Sequence, residues 1–171
     1  MKRLILPILF FCAGVCSAQT ANLLKGDADV EIDPSNMTNG SYSNSTAEAP
    51  KWKLDNTTGY QSPSSIKLLE FCGIGIHDVK LPAGTYTFSF WAKGSEPDTR
   101  AYITVNKQDS SWPVALKNRA DSPIRLTTDW KRYSFTFTAD GVSRYSPYYG
   151  IEKQPAWFDR FMLNAGDRPL D

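Results

Sequence analysis

The chain contains several short segments in which apolar and polar residues alternate, and the clearest is GTYTFSFWAKG at 84–94. Successive side chains of a β-strand point to opposite faces of the sheet, so Tyr86, Phe88 and Phe90 share one face. This aromatic set predicts the face that packs into the core. Trp91 then lies on the opposite face, among threonine, serine and lysine side chains, where a large apolar ring is unexpected.

Other segments of the same character recur along the chain, and turns rich in Gly, Pro and Asn separate them. Many short alternating strands joined by such turns predict an all-β fold, an antiparallel β-sandwich or jelly roll. Residues 34–50 are predicted to be a polar loop, and 144–150 (RYSPYYG) an aromatic loop. The other predicted strands are 51–55, 65–71, 74–81, 100–107, 129–140 and 155–166, with Ala101, Ile103, Val105, Tyr133, Phe135 and Phe137 facing inward.

Length and composition are those of one globular domain. A chain of 171 residues can bury a sizeable core. Hydrophobic residues make up 41% of it, which is not typical of a disordered chain. The 19 Lys and Arg against 18 Asp and Glu leave a net charge of +1, so the overall charge does not indicate nucleic acid as a partner.

The first residues have the pattern of an export signal. Two basic residues precede an apolar run at 4–15, and small residues follow for cleavage after Ala18. The apolar run is too short to span a bilayer. We therefore predict a signal peptide at 1–18, a single β-sandwich domain at 19–171, and a secreted, periplasmic or cell-surface location without a membrane span.

Cysteine usage fits this prediction. Cleavage after the signal would remove Cys12 and Cys16 and leave Cys72 as the only cysteine, so the mature domain would have no internal disulfide. The alternative is a lipoprotein in which Cys12 or Cys16 is acylated.

Four motifs occur along the chain in a characteristic order. They are NLLKGDADVE (22–31), GTYTFSFWAKG (84–94), TTDWKRYSFTFTADG (127–141) and AWFDRFMLNAGD (156–167). Together they are similar to the galactose-binding-like jelly-roll carbohydrate-binding modules, in the grouping of families 4, 9 and 22. The last motif departs from the family's pattern, because Arg160 and Asn164 stand where acidic residues are usual. Trp130 and Trp157 are expected to pack in the core or at its edge.

The resemblance implies a non-catalytic module of a secreted glycan-degrading system that binds polysaccharide or oligosaccharide by aromatic stacking. Such modules commonly accompany a glycoside hydrolase catalytic domain, which is the implied partner. The alternative is a structural or protein-interaction β-sandwich of a secreted or cell-surface protein, with no glycan site. No motif indicates an enzyme, since His77 is the only histidine, expected to be partly buried, and no carboxylate pair stands out.

The resemblance also implies a structural calcium ion. A glutamate near the first strand and an aspartate on the last commonly bind it in such modules, and these correspond to Glu31 and Asp159, with Asp27 as a possible third ligand. Oxygen ligands suit Ca²⁺, and two carboxylates brought together repel unless a cation or a proton joins them. The alternative is that Glu31 and Asp159 pair with arginine or with backbone amides.

Trp91 is the first candidate for a ligand site. Sugars present an apolar C–H face and a rim of hydroxyls, so proteins bind them with an aromatic ring and polar neighbours. Polar faces of neighbouring predicted strands add Arg100 and Tyr102 on one strand and Arg132 on another. Trp112, in an irregular segment, is a further aromatic candidate. The alternative is that the loop containing Trp112 covers Trp91, which would then be a packing residue.

Overall fold

A computed structural model describes residues 22–24, 51–108, 114–117 and 123–170, and these form two antiparallel β-sheets. The five-stranded sheet, sheet A, has the strand order β1-β2-β11-β5-β9. The six-stranded sheet, sheet B, has the order β3-β10-β6-β7, with β4 paired to β10 and β8 to β6. The strands are β1 Trp52–Asp55, β2 Ser65–Leu68, β3 Cys72–Gly75, β4 Val79–Lys80, β5 Gly84–Gly94, β6 Thr99–Gln108, β7 Val114–Ala115, β8 Pro123–Leu126, β9 Lys131–Ala139, β10 Arg144–Ile151 and β11 Ala156–Ala165.

The core lies between the sheets and is built on the predicted aromatic face of β5. Phe88 and Phe90 are fully buried, and Phe90 meets Phe158 of β11 edge-on, with ring centroids 5.3 Å apart. Tyr149 of sheet B packs against Phe158 at 5.0 Å and Phe161 at 4.8 Å, which joins the two sheets. Tilted arrangements of this kind are the favourable ones for aromatic pairs. The prediction of an antiparallel β-sandwich is confirmed.

Residues 144–151 form β10, whereas 144–150 were predicted to be a loop, and this prediction was wrong. Pro147 lies inside the strand opposite Val105, and its carbonyl accepts the N–H of Ile76 at 2.8 Å. Proline removes a donor but keeps its acceptor, so the strand retains this bond. Pairing with β6 on one side and with β3 and β4 on the other outweighs the local turn signal, and the three tyrosines of the segment are buried.

The short segment 22–24 is attached to β11. The backbone N–H of Leu23 donates to the carbonyl of Leu163 at 2.8 Å. The Asn22 amide donates to the Phe161 carbonyl at 2.8 Å and accepts the Leu163 N–H at 3.0 Å. In the part of the chain that the structure describes, no helix has the length and apolarity needed to cross a membrane.

Candidate functional site

Trp91 lies half-buried on the outer face of sheet A, and a second aromatic ring covers one of its faces. Tyr60, from the loop between β1 and β2, stacks on the indole with ring centroids 3.7 Å apart and an angle of 11° between the planes. The predicted cover was a different loop, and its described residues 114–117 lie beside β6 in sheet B instead. Trp91 is therefore partly covered, as the alternative proposed, but by another segment.

Asp159 fixes the position of the Tyr60 loop. Its fully buried carboxylate accepts the backbone N–H of Tyr60 at 2.7 Å and the hydroxyl of Ser62 at 3.2 Å, both on Oδ2. Oδ1 accepts the N–H of Arg160 at 2.7 Å. Hydrogen bonds to a buried carboxylate offset part of its lost hydration. Asp159 is also the cross-strand partner of Trp91, so the residue that holds the Tyr60 backbone lies next to Trp91 in the sheet.

A β-bulge directs Arg160 toward this stack. The register between β11 and β5 shifts between Asp159 and Met162, and Arg160 has a φ of 47°. A non-glycine residue in this left-handed region costs about 1–3 kcal/mol. The exposed side chain donates from Nη1 to the Gln61 side-chain oxygen at 3.1 Å, and its guanidinium carbon lies 6.0 Å from the centroid of the Tyr60 ring. Bulges commonly re-aim side chains next to functional sites.

The stacked pair forms part of the wall of a cavity of about 420 Å³, a volume within the usual range for small-ligand sites. Arg132 and Arg160 contribute positive charge to its lining, and Asn22 and Gln61 contribute amides. The remaining lining residues are Phe161, Met162 and Leu170. The cavity thus combines aromatic and apolar surface with groups that can hydrogen-bond to hydroxyls or carboxylates.

The C-terminal segment 166–170 limits how much of this face is open. Side chains of sheet A donate to four of its carbonyls: Thr87 to residue 166 at 2.9 Å, Thr136 to residue 167 at 3.3 Å, Asn164 to residue 168 at 3.0 Å, and Arg132 to residue 170. Thr87 and Asn164 are fully buried. Part of the polar face therefore holds this segment, and the open part begins at Arg132, which is the cross-strand partner of Trp91.

Arg100 and Tyr102 lie on β6 of sheet B, so the predicted co-facial set is divided between two sheets and that prediction was wrong. Tyr102 is only 2% exposed. Its ring stacks on Tyr148 with centroids 5.8 Å apart, and its hydroxyl donates to the carbonyl of Cys72 at 3.1 Å. Arg100 is paired with Glu152 at 3.1 Å. Alternation assigns a residue to one face of a strand, but it carries no information about which sheet the strand joins.

Three predicted site residues, Trp112, Glu31 and Asp27, lie outside the described residues. Asp159 is thus the one predicted calcium ligand that can be placed. Among the residues that the structure describes, no three His, Cys, Asp or Glu side chains form a group that could hold a metal ion. His77 is exposed rather than partly buried.

Trp157 and Trp130 were expected in the core or at its edge, but both are half-buried beside the Trp91 site. The indole N–H of Trp157 donates to Oδ2 of Asp55 at 2.8 Å. Hydrogen bonds from the Thr57 hydroxyl and then from Trp157 lower the pKa of Asp55 from 3.8 to about 2. The alternation of side chains along a strand could have placed Trp157 on the outer face of the sheet, because it directly precedes the core residue Phe158.

Tyr60 was not predicted as a site residue. It lies in the turn-rich segment between β1 and β2, where no periodicity exists to assign it to a face. Arg160 was noted in the sequence as a departure from the resembling family, but the bulge that aims it at Tyr60 has no sequence signature.

Residues 79–149 match a family model described as a carbohydrate binding domain. The matched segment is therefore similar to carbohydrate-binding domains. It runs from β4 to most of β10 and includes both Trp91 and Arg132. The resemblance found in the ordered motifs is confirmed, and the description of the matched family as a binding domain supports the prediction of a non-catalytic module.

Solved structures with the same β-sandwich fold include carbohydrate-binding modules at low identity. The CBM22-1 xylan-binding domain of Xyn10C from Paenibacillus barcinonensis has a TM-score of 0.55 and 15% identity, covering 76% of this chain and 95% of that chain. TmCBM61, solved with β-1,4-galactotriose, has a TM-score of 0.54 and 16% identity, covering 86% and 100%. No curated protein matches the chain significantly.

A further neighbour contains a catalytic module as well. The CBM22-1–GH10 part of xylanase 10B from Clostridium thermocellum, solved with xylohexaose, has a TM-score of 0.54 and 13% identity, covering 70% of this chain and 25% of that chain. At such identities the likeness supports the shared fold, and a ligand must be argued from the site itself.

Proposed function

We propose that this domain binds a polysaccharide or oligosaccharide in the cavity beside Tyr60 and Trp91. The observation that carries the proposal is the stacked aromatic pair in the wall of a cavity that also has two guanidinium groups in its lining. The rings offer apolar area to the C–H face of a sugar, and arginine and amide groups offer hydrogen bonds to its hydroxyls.

The geometry supports a preformed site. Tyr60 is held by its backbone bond to Asp159, and Trp91 by its place on β5, which pairs with β11 on one side and β9 on the other. A rigid aromatic wall loses little conformational entropy when a ligand binds, which favours affinity. We therefore expect the sugar to contact the exposed edge of the stack without displacing Tyr60.

The cellular role is part of the same proposal. The basic and apolar pattern of residues 1–18 supports export as a signal peptide, and therefore a secreted, periplasmic or cell-surface location. One neighbour joins a similar fold to a GH10 module, which supports a glycoside hydrolase as the partner of this domain. By binding the polysaccharide, the domain would raise the concentration of substrate near that enzyme.

A structural Ca²⁺ ion joining Asp159 to Glu31 and Asp27 is the remaining part of the proposal. Asp159 supports it as a buried carboxylate, a suitable hard ligand. The attachment of residues 22–24 to β11 supports it as well, because this segment shortly precedes Asp27 and Glu31 in the chain.

The calcium proposal is tested by thermal unfolding of the full chain in EDTA and in excess Ca²⁺. Calcium at one hundred times its Kd is expected to stabilise the protein by about 2.7 kcal/mol, and Asp159→Asn is expected to abolish this response. Asp167→Asn, an exposed change on the same face, is the control. A melting temperature that does not respond to Ca²⁺ would overturn this part.

The glycan proposal is tested by affinity electrophoresis of the full chain in gels containing xylan, β-1,4-galactan, β-glucan or mannan. We expect retardation by at least one polysaccharide, and its loss in Trp91→Ala while the circular dichroism spectrum is retained. Tyr102→Phe, in the other sheet, is the matched aromatic control, and Trp112→Ala tests the remaining predicted aromatic residue. A folded protein that no polysaccharide retards would instead support the structural or protein-interaction domain.

A further inference from the structure

The outer face of sheet A carries a row of three lysine side chains and one tryptophan. Lys53 pairs with Lys67 across β1 and β2, and Trp157 of β11 pairs with Lys67 on one side and with Lys93 of β5 on the other. Cross-strand partners point to the same face of a sheet. Since Trp52 and Leu54 of β1 pack against the core, this row faces away from it.

The two central lysines are held by the indole rings. The ammonium group of Lys67 lies 4.3 Å from the centroid of the Trp157 ring, and that of Lys93 lies 5.2 Å from it. Lys93 is also 5.5 Å from the centroid of Trp130. Cations within about 6 Å of an aromatic face are attracted to it. These contacts keep two like charges close together on one surface, where an anion would reduce their repulsion.

The neighbouring row adds two guanidinium groups from the cavity already described. Arg132 is the cross-strand partner of Trp91, and Arg160 reaches over Tyr60 from the bulge. We call the five cations of these two rows the cationic band. They are Lys53, Lys67, Lys93, Arg132 and Arg160.

Charge on this face is strongly one-sided. The two rows contain five cations and two carboxylates, Asp55 and Asp159, which is a formal charge of +3 against +1 for the whole chain. Asp159 is fully buried, and Asp55 already accepts bonds from Thr57 and Trp157. Among the described residues, no carboxylate forms a salt bridge with Lys53, Lys67 or Lys93.

Three cations of sheet B are arranged differently. Arg100 pairs with Glu152, Lys107 with Asp140 and Arg144 with Asp78, so each of these charges is neutralised by a close carboxylate. An overall charge near zero therefore conceals a local excess of positive charge on the outer face of sheet A. A surface of this kind attracts anionic ligands and raises their association rate.

We infer that the glycan bound by this domain is a polyanion, whose carboxylate or sulfate groups are bound by the cationic band while its sugar rings contact the Tyr60–Trp91 wall. This inference rests on the proposed function, because it assigns the ligand class of the same site. Adjacent strands lie about 4.8 Å apart, so the backbones of Lys67 and Lys93 are about 10 Å apart across β11. A regularly charged chain crossing the strands could meet both lysines and then Arg132.

The experiment measures binding of the full chain to paired polymers that differ only in charge. Polygalacturonate is compared with its methyl ester, and dextran sulfate with dextran, so that the two pairs separate carboxylate from sulfate. We expect the charged member of at least one pair to bind about tenfold more tightly than its neutral partner. Its affinity is expected to fall as salt rises from about 0.05 M to about 0.5 M, since salt screens exposed charges.

Variants then test whether the tighter binding of charged polymers depends on the cationic band. Lys67→Gln with Lys93→Gln is expected to weaken polyanion binding about tenfold. Lys80→Gln with Lys153→Gln, two exposed lysines outside the band, is expected to change it less than twofold. Thermal unfolding confirms that both double variants fold. Equal affinity for charged and neutral polymers, or a Lys67/Lys93 variant that binds the polyanion as the unmodified chain does, would overturn the inference.

Two further outcomes separate this inference from the proposed function. Binding of neutral glycan that depends on Trp91 but not on charge would leave the proposed function intact and refute the polyanion. Polyanion binding that depends on the lysines but not on Trp91 would support the cationic band and refute the cavity site. A single-stranded oligonucleotide bound as tightly as the charged glycan, with the same lysine dependence, would overturn the assignment to a glycan.

Discussion

The ring of Tyr60 lies parallel to the indole of Trp91, with 3.7 Å between their centroids. One residue comes from a loop and the other from an inner strand of sheet A, and the buried residue Asp159 lies next to both. It accepts the Tyr60 N–H and faces Trp91 across β11 and β5. The aromatic wall of the cavity therefore depends on a loop whose backbone is hydrogen-bonded to a buried acidic side chain.

Tyr60→Ala is expected to weaken glycan binding about two- to tenfold, because a stacked aromatic pair contributes about 0.5–1.5 kcal/mol beyond its buried area. The same change uncovers one face of Trp91, so its fluorescence emission is expected to shift to longer wavelength. Titration calorimetry and emission spectra measure the two effects. Tyr60→Phe keeps the ring and is the matched control. Tighter binding by Tyr60→Ala would show that Tyr60 blocks the sugar instead of contacting it.

The sequence predicted the sandwich well and the site only in part. Alternation depends on the two-residue period of a strand, and it correctly placed Phe88 and Phe90 inside and Trp91 outside. It could not place Tyr102 in the other sheet, because strand order depends on long-range pairing. Nor could it find Tyr60, whose position depends on a tertiary bond to Asp159 and not on any local pattern.

Acid is expected to destabilise the protein through Asp55. Hydrogen bonds from Thr57 and Trp157 lower the pKa of Asp55 from 3.8 to about 2 in the folded state. A lowered folded pKa stabilises the fold above the unfolded pKa, and this contribution is lost as pH falls from about 4 toward about 2. Unfolding free energies across this range should therefore fall less steeply for Asp55→Asn than for the unmodified chain.

The exposed change Asp129→Asn is the control for this pH profile. The Trp157 indole donates to Asp55, so Trp157 emission should change over the same pH range in the unmodified chain. Identical slopes for Asp55→Asn and the unmodified chain would contradict the assignment.

Gly150 and Gly73, which are cross-strand partners, leave room for tyrosine rings on sheet B. A Cβ at Gly150 would overlap the Tyr102 hydroxyl and the backbone carbonyl of Cys72, whereas one at Gly73 would overlap only the ends of the Tyr102 and Tyr148 side chains. Side chains can shift more easily than backbone. We expect Gly150→Ala to cost about 1–3 kcal/mol and Gly73→Ala to cost less, as measured by urea unfolding. Equal costs would contradict this explanation.

Tyr149→Phe is expected to stabilise the protein. Within the residues that the structure describes, the buried Tyr149 hydroxyl has no hydrogen-bond partner, and burial raises the pKa of this hydroxyl well above its usual range. A buried unpaired polar group costs about 1–3 kcal/mol, so removing it should raise the free energy of unfolding in urea. Tyr145 is the matched control, because its buried hydroxyl accepts the N–H of Asp140 at 2.9 Å. Tyr145→Phe should destabilise by about 1 kcal/mol. The two substitutions remove the same atom from one strand, and we expect opposite changes in the free energy of unfolding. A loss of stability in Tyr149→Phe would show that this hydroxyl has a partner in solution, such as a buried water.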